Sequence, residues 1–267
     1  MQFVCLSGLP RSGSTILSAI LDQNPLIHAE GNSAVCQFIY DMHQSGTVNA
    51  NEQLQGNNRM GTIKDLIQEI PRIYYKDRAP GKQIVIDKCR SWAMATNVEL
   101  LKKYIDPHIK IIVLERSITA IMKSFMKLYQ KNNWSAEYMH AIMKALLLPN
   151  SEPIMRSIIG INAAKRNNQQ GNFLFVQYDD LMAQPAETLQ RIYAFCGWAP
   201  YAHDFQNIVN NHPENDDFYG LKGFHTIRAS IGKTENSVVL PPDILAKCLQ
   251  IDSIIAQVGG GSPPAPH

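Results

Sequence analysis

The sequence has few cysteines, and none of them form the close pairs that bind zinc or exchange disulfides. The 267 residues include five cysteines, which are Cys5, Cys36, Cys89, Cys196 and Cys248. An odd number of scattered cysteines argues against the disulfide framework of a small secreted domain and is typical of a reducing compartment. We therefore expect a cytoplasmic protein.

Long hydrophobic runs and an excess of charge of either sign are also missing. No segment approaches the ~18 apolar residues of a membrane-spanning helix, and the N-terminus lacks the pattern of a secretory signal. We therefore expect no membrane span. The formal net charge is +2, with acidic and basic residues interspersed. That balance disfavours nucleic acid as a main partner, so any anion-binding site must be local.

What is present is a series of short apolar runs rich in β-branched residues. They occupy residues 3–6, 84–86, 109–114 and 173–176, and helical patterns at 15–23, 120–129 and 186–196 follow three of them. Fully apolar strands separated by helices indicate parallel strands that are buried on both faces. The sequence predicts an α/β fold, a single doubly wound domain with a central parallel sheet flanked by helices.

Three segments depart from this alternation of strands and helices. Residues 45–61 are polar and rich in Asn, Gln and Gly, and we predict a mobile loop there. Residues 210–237 form a long polar segment, which in a compact domain is often a functional lid. The end of the chain is rich in Gly and Pro, which is typical of a flexible tail. We expect one domain over residues 1–258 and a tail over 259–267.

The first strand leads into a loop that resembles a nucleotide-binding P-loop but lacks its lysine. Gly8, Gly13 and Thr15 fit the pattern of that loop, whereas Ser14 stands where the lysine belongs. The amide groups at the start of the next helix still attract an anion. The positive charge has moved to Arg11. An NTPase uses the lysine on β- and γ-phosphates, so its absence argues against a triphosphate ligand.

The segment GLPRSGST resembles the 5′-phosphosulfate loop of sulfotransferases, enzymes that use 3′-phosphoadenosine 5′-phosphosulfate (PAPS) and release 3′-phosphoadenosine 5′-phosphate (PAP). That loop carries Lys or Arg followed by Ser-Gly-Ser/Thr-Ser/Thr, and the reaction of this family needs no metal. The resemblance implies a P-loop-like site for PAPS, and the residues that match position by position are Arg11, Ser12, Gly13, Ser14 and Thr15.

Two later segments resemble the same family, in the same order along the chain. In the first, Arg116 ends a strand and Ser124 follows eight residues later, as in the family's 3′-phosphate site. Arginine presents a planar fork that suits a phosphate. In the second, Tyr178 opens the sequence YDDL, where the family places a tyrosine that helps to hold the adenine. The resemblance is nearest to the bacterial and tyrosylprotein branches.

The segment HTIRASIGKTENS resembles the basic loop with which the family covers its nucleotide. Arg228 and Lys233 supply the expected charge, but they do not stand in the contiguous order of the family's Arg-Lys-Gly. We include both among the expected nucleotide-binding residues.

Sulfuryl transfer requires a base for the acceptor's proton and cations for the charge that develops on the leaving oxygen. Arg11 and Lys88 are the candidate cations. Lys88 lies at the carboxyl end of a predicted strand, where α/β sheets bind ligands. Arg90 is a weaker addition. Glu30 is the first candidate for the base and His28 the second, both in a predicted loop, and Asp87 is a third.

The sequence therefore predicts a PAPS-dependent sulfotransferase that acts without a metal on a hydroxyl, or an amine, of a small molecule or a polymer. Two alternatives remain open. Asp87 ends an apolar strand in the manner of the Mg²⁺-positioning strand of a P-loop kinase or NTPase, and a non-catalytic nucleotide-binding protein could keep the fold alone. The acceptor pocket is predicted from residues 45–61, 134–164 and 210–237, with aromatic candidates Trp134, Tyr138, Phe218 and Tyr219.

Overall fold

A computed structural model of the chain describes residues 1–232 and 238–259. The strands are β1 (Gln2–Gly8), β2 (Ile27–Asn32), β3 (Ile84–Lys88), β4 (Lys110–Glu115) and β5 (Phe173–Gln177). The helices are α1 (Ser14–Leu21), α2 (Val35–Gln44), α3 (Asn51–Gly56), α4 (Met60–Tyr74), α5 (Ala95–Leu100), α6 (Ile118–Lys131), α7 (Ala136–Leu146), α8 (Ile154–Arg166), α9 (Tyr178–Ala183), α10 (Pro185–Cys196) and α11 (Pro242–Gly259). Within the described ranges, no helix is long and apolar enough to cross a membrane.

The five strands form one parallel sheet in the order β2-β3-β1-β4-β5. Each of the four apolar runs read from the sequence lies in one of these strands, and the predicted α/β architecture is confirmed. Neighbouring strands β1 and β4 send their connections to opposite sides, β1 towards β2 and β4 towards β5. Such a topological switch point opens a crevice at the carboxyl edge of the sheet, where ligands of this architecture bind.

Helices cover both faces of the sheet. The side chains of each strand alternate between the two faces, and the apolar side chains on both faces pack against helices. On one face, Val4 and Leu6 pack in a cluster with helices α1 and α10. On the other face, Phe3 and Cys5 pack in a larger cluster that includes residues of α4, α6, α8 and α11. Burial on both faces explains why β1 reads as a continuous apolar run.

One strand was not predicted, and it carries two of the proposed catalytic residues. Residues 27–32 were assigned to a loop, but they form β2, which pairs with β3 at the edge of the sheet. The sequence of this strand, IHAEGN, has no continuous apolar run, because His28 and Glu30 interrupt it. His28 and Glu30 are consequently held by a strand and not by a loop.

The prediction of a mobile loop over residues 45–61 is wrong. The structure places there a π-helical turn (Ser45–Asn49), helix α3 and the first residues of α4. None of the residues of α3 is buried. Its polar composition therefore reflects exposure to solvent and not a lack of helix.

The predicted lid is irregular throughout its described part, residues 210–232, and residues 233–237 lie outside the described ranges. We call residues 210–232 the lid segment. It contacts the carboxyl edge of the sheet through Glu214, whose carboxylate accepts hydrogen bonds from Asn32 and Lys88 at the ends of β2 and β3. Residues 260–267 of the predicted tail also lie outside the described ranges, and helix α11 ends at Gly259.

Candidate active site

A cavity of about 440 Å³ opens at the carboxyl edge of the sheet, between the ends of the strands and the lid segment. The lining draws on residues that follow four of the five strands and on the end of β2. Most of the residues singled out from the sequence line this cavity: Arg11, Gly13, Ser14, Thr15, Lys88, Arg90, Arg116, Ser124, Tyr178 and Arg228.

The loop between β1 and α1 is shaped for close approach to a ligand. Gly13 caps α1 with φ = 91°, a left-handed conformation that disfavours other residues. A methyl group at this position would lie 2.8 Å from the ring of Tyr178. Ser12 is fully buried and donates a hydrogen bond of 2.6 Å to the Leu9 carbonyl, which closes the loop. Since Gly13 has no side chain to cap the helix, the first amides of α1 are available to an anion.

Arg116, Arg11 and Ser124 meet at one end of the cavity. Arg116 donates a hydrogen bond of 2.7 Å to the Arg11 carbonyl, and the Arg11 Nε donates one of 3.0 Å to Ser124 Oγ. Arg11 also donates to the Phe224 carbonyl of the lid segment. Burial lowers the pKa of both arginines, and for Arg11 the nearby Arg116 lowers it further. Two partly buried guanidinium groups side by side repel each other, and an anion between them would offset that repulsion.

Tyr178 lies at the same end of the cavity. The guanidinium carbon of Arg116 stands 3.9 Å from the centroid of the Tyr178 ring, a cation–π contact that fixes both side chains. Arg228 lines the cavity and donates to the Gly232 carbonyl at 3.3 Å. Lys233, which was predicted to join it, lies outside the described residues.

Lys88 ends β3, on the other side of β1 from Arg116, and lies beside the start of α1. Its Nζ is 3.4 Å from Thr15 Oγ1 and 2.9 Å from Glu214 Oε1, and 7% of the side chain is exposed. Burial lowers the pKa of Lys88, and the carboxylate of Glu214 opposes that effect. Lys88, next to Thr15, thus places a cation beside the first amides of α1.

The lid segment adds a histidine–carboxylate pair that the sequence analysis did not single out. His225 lines the cavity; its Nδ1 lies 2.8 Å from Asp216 Oδ1, and its Nε2 lies 3.4 Å from Glu214 Oε2. Burial lowers the pKa of His225, against the opposing effects of Glu214 and Asp216. A neutral imidazole oriented by a carboxylate is the arrangement of a general base. The one signal in the sequence was the concentration of acidic residues and histidine in the predicted lid.

Glu30 and His28 are brought together, but away from this lining. His28 Nε2 lies 3.3 Å from Glu30 Oε2, and the imidazole is almost fully buried, with 1% exposed. Burial raises the pKa of Glu30, but the adjacent His28 and nearby positive charges leave that pKa lowered overall. Within the described chain, neither residue is among those that line the cavity.

Asp87, the third candidate base and the residue that suggested a Mg²⁺ site, is enclosed in the core. Its carboxylate accepts hydrogen bonds from Ser33 at 2.5 Å, from Tyr75 at 2.8 Å and from Trp92 at 2.7 Å. Burial raises the pKa of Asp87, and these three donors oppose the rise. A carboxylate committed to three donors in the core serves to connect elements of the fold.

The aromatic residues proposed for an acceptor pocket have two different environments. Trp134 stacks on Tyr129 with 4.3 Å between ring centroids, and Tyr138 packs beside it at 4.8 Å. On the lid segment, Phe218 is 82% exposed. Tyr219 packs against His225 at 5.3 Å, next to the cavity.

Comparison with known structures relates the whole fold to sulfotransferases. The sulfotransferase domain of the Synechococcus PCC 7002 olefin synthase is 21% identical, with a TM-score of 0.57 over 96% of this chain and 94% of that chain. A sulfotransferase from Alicyclobacillus acidocaldarius is 12% identical, with a TM-score of 0.59 over 97% and 93%. A mouse sulfotransferase complexed with PAP is 13% identical, with a TM-score of 0.51 over 96% and 88%. At these identities the likeness establishes the fold.

Comparison of the sequence itself gives the family. No curated protein sequence matches the chain significantly. The sequence model of the sulfotransferase family, however, matches residues 4–202, which include the loop after β1, Lys88, the Arg116–Ser124 pair and Tyr178. This match covers most of the chain and confirms the resemblance seen in the three motifs. The chain belongs to the sulfotransferase family.

Proposed function

We propose that the protein transfers a sulfuryl group from PAPS to an acceptor hydroxyl, or less readily an amine. One observation carries this proposal: two groups of residues that can bind anions line a single cavity, on opposite sides of strand β1. Arg11, Arg116 and Ser124 form one group, and Lys88 with Thr15 and the start of α1 forms the other. A nucleotide with phosphates on both its 3′ and 5′ positions has charge at both ends.

The arginine end suits the 3′-phosphate of the donor. Arg116 and Arg11 provide planar forks, and Ser124 contributes a hydroxyl 3.0 Å from Arg11. Tyr178, held flat by Arg116, offers a face on which the adenine can stack. The amides of Ser14 and Thr15 then receive the 5′-phosphosulfate, because a helix N-terminus attracts anions.

The transfer is a displacement at sulfur. The acceptor oxygen forms a bond to sulfur as the bond between sulfur and the bridging oxygen breaks, and the electron pair of that bond remains on the phosphate of PAP. Lys88 stabilises the negative charge that develops on the departing oxygen. The acceptor's proton passes to His225, whose Asp216 partner stabilises the resulting imidazolium.

We place the base on His225 in preference to Glu30 and His28. His225 lines the cavity near Lys88, whereas Glu30 and His28 contact each other outside its lining. His225 also has a lowered pKa, which keeps its imidazole neutral at neutral pH. A neutral imidazole accepts a proton, whereas a protonated one does not.

Thermal shift with two nucleotides tests this function. A ligand raises the melting temperature in proportion to its affinity for the folded state. We expect PAP to stabilise the protein without added Mg²⁺, and ATP with Mg²⁺ to stabilise it less. Stabilisation by ATP–Mg²⁺ alone would contradict the proposal and favour a P-loop kinase or NTPase.

A further inference from the structure

A second cluster of polar side chains lies outside the cavity, where the lid segment crosses the edge of the sheet. Asp22 follows the last turn of α1, His28 lies on β2, and His212 lies on the lid segment. One nitrogen or oxygen from each of the three lies within 4.8 Å of the others. Glu30 lies beside the cluster, with Oε2 3.3 Å from His28 Nε2.

His28 has a polar atom that the protein leaves unsatisfied. Its side chain is 1% exposed, and Nε2 makes no hydrogen bond within the described structure, even though Glu30 lies near it. A buried nitrogen without a partner costs free energy. The Nε2 atom faces the side of the cluster where Glu30 lies, and the ring of His212 packs on the imidazole with centroids 4.8 Å apart.

The separation between Asp22 and His212 suits two ligands of one ion, because His212 Nε2 is 3.5 Å from Asp22 Oδ2. Zinc binds nitrogen and oxygen at about 2.0–2.2 Å in a tetrahedron, so neighbouring ligand atoms stand roughly 3.3–3.5 Å apart. The three ligand atoms of the cluster lie within 4.8 Å of one another, so binding requires the partly exposed His212 side chain to approach His28.

We propose that Asp22, His28 and His212 bind a zinc ion. Two imidazoles and one carboxylate, with solvent in the fourth position, are a donor set that zinc accepts. Asp22 is already oriented as a ligand, because its two oxygens accept hydrogen bonds from the Ala29 amide at 3.3 Å and from the Asn211 side chain at 3.1 Å.

The ion would fasten the lid segment to the sheet. His212 comes from the lid segment, whereas Asp22 directly follows α1 and His28 lies on β2. Glu214, two residues after His212, contacts Lys88 at 2.9 Å. The zinc would therefore hold in place the part of the lid segment that reaches Lys88 and His225, and its role would be structural and not catalytic.

Direct zinc binding by the full chain tests this site without reference to sulfuryl transfer. The protein is stripped with a chelator, dialysed and titrated with Zn²⁺ in competition with a chromophoric chelator. We expect one equivalent to bind, and His212→Gln and Asp22→Asn each to weaken binding at least tenfold. Co²⁺ should give the visible absorption of a tetrahedral site in the wild type and not in His212→Gln.

His140→Gln is the matched control, because His140 also pairs with an aspartate, Asp243, at 2.9 Å, but on the surface and without a second histidine. This variant should bind zinc as the wild type does. His28 is buried, so the partly exposed His212 decides the outcome if His28→Gln fails to fold. Wild-type protein that binds no zinc, or His212→Gln that binds it with unchanged affinity, would overturn the proposal.

Discussion

At the scale of single residues, Lys88 has the position expected of the group that stabilises the leaving oxygen. It is buried, stands beside Thr15 at the start of α1, and is held by Glu214. Burial strengthens the interaction of a cation with charge that develops next to it, because little water remains to screen that charge.

We expect Lys88→Met to lower kcat by about 100- to 1,000-fold while nucleotide affinity changes much less. The measurement is steady-state transfer from PAPS beside calorimetric binding of PAP. Lys165→Met is the control, because Lys165 forms a similarly buried ion pair with Glu115 at 2.7 Å but does not line the cavity. If Lys88→Met kept the wild-type rate, the catalytic role would be wrong, and a non-catalytic nucleotide-binding protein would be the better account.

The pH dependence of the rate follows from His225 and Lys88. His225 must be neutral to accept a proton, and burial lowers its pKa from the ordinary value of 6.5. Lys88 must be charged, and burial lowers its pKa from 10.5. The rate should therefore rise with pH along an acid limb below pH 6.5, and fall along an alkaline limb that begins below pH 10.5.

Variants assign the two limbs of this profile. His225→Gln should lower the rate and remove the acid limb, and the alkaline limb should remain because Lys88 is unchanged. An acid limb that persists unaltered in His225→Gln would place the base elsewhere, with Glu30 the first residue to examine.

The sequence could predict which residues line the cavity where those residues have a fixed spacing from a strand. Lys88 and Arg116 each stand at a strand end, and Ser124 lies eight residues after Arg116. Glu214 and His225 reach the same cavity from an irregular segment, whose path depends on tertiary contacts and not on periodicity. For this reason, the sequence predicted a lid but not which of its side chains enter the cavity.

At the scale of elements, the unit formed by β1, the loop and α1 depends on Gly13. The residue has φ = 91°, and a methyl group would lie 2.8 Å from the Tyr178 ring. We expect Gly13→Ala to lower the free energy of unfolding by about 1–3 kcal/mol and to weaken PAP binding. Urea unfolding and calorimetry measure the two effects.

Gly171→Ala is a control that separates the effect of backbone strain from the effect of a steric clash with a neighbouring side chain. Gly171 has φ = 64°, and no atom lies within 4 Å of an added methyl group. Its substitution should cost about 1 kcal/mol from backbone strain alone and leave PAP binding unchanged. Equal effects of the two substitutions on binding would mean that contact between Gly13 and Tyr178 does not shape the nucleotide site.

The strands were predictable where their sequence is a continuous apolar run. Strands β1, β3, β4 and β5 are such runs, whereas His28 and Glu30 interrupt β2, which was assigned to a loop. Helix α3 was also missed, because its residues face solvent and show no apolar stripe. Sequence patterns record burial, so elements with little burial leave little pattern.

At the scale of the whole molecule, the parallel sheet gathers distant parts of the chain at one edge. Parallel strands all end on the same side, and the switch point between β1 and β4 opens the crevice there. Residues of the three motifs therefore become neighbours. The lid segment covers this edge, with Phe224 over Arg11 and Glu214 against Lys88.

The measurement that tests the central claim most directly is the ratio of affinities for PAP and adenosine 5′-monophosphate, by calorimetry without added Mg²⁺. The two ligands differ only in the 3′-phosphate, which we assign to Arg11, Arg116 and Ser124. Two charge-assisted contacts of about 1.5 kcal/mol or more each predict that PAP binds at least ~100-fold more tightly. Equal affinities, or binding of PAP only in the presence of Mg²⁺, would contradict the account.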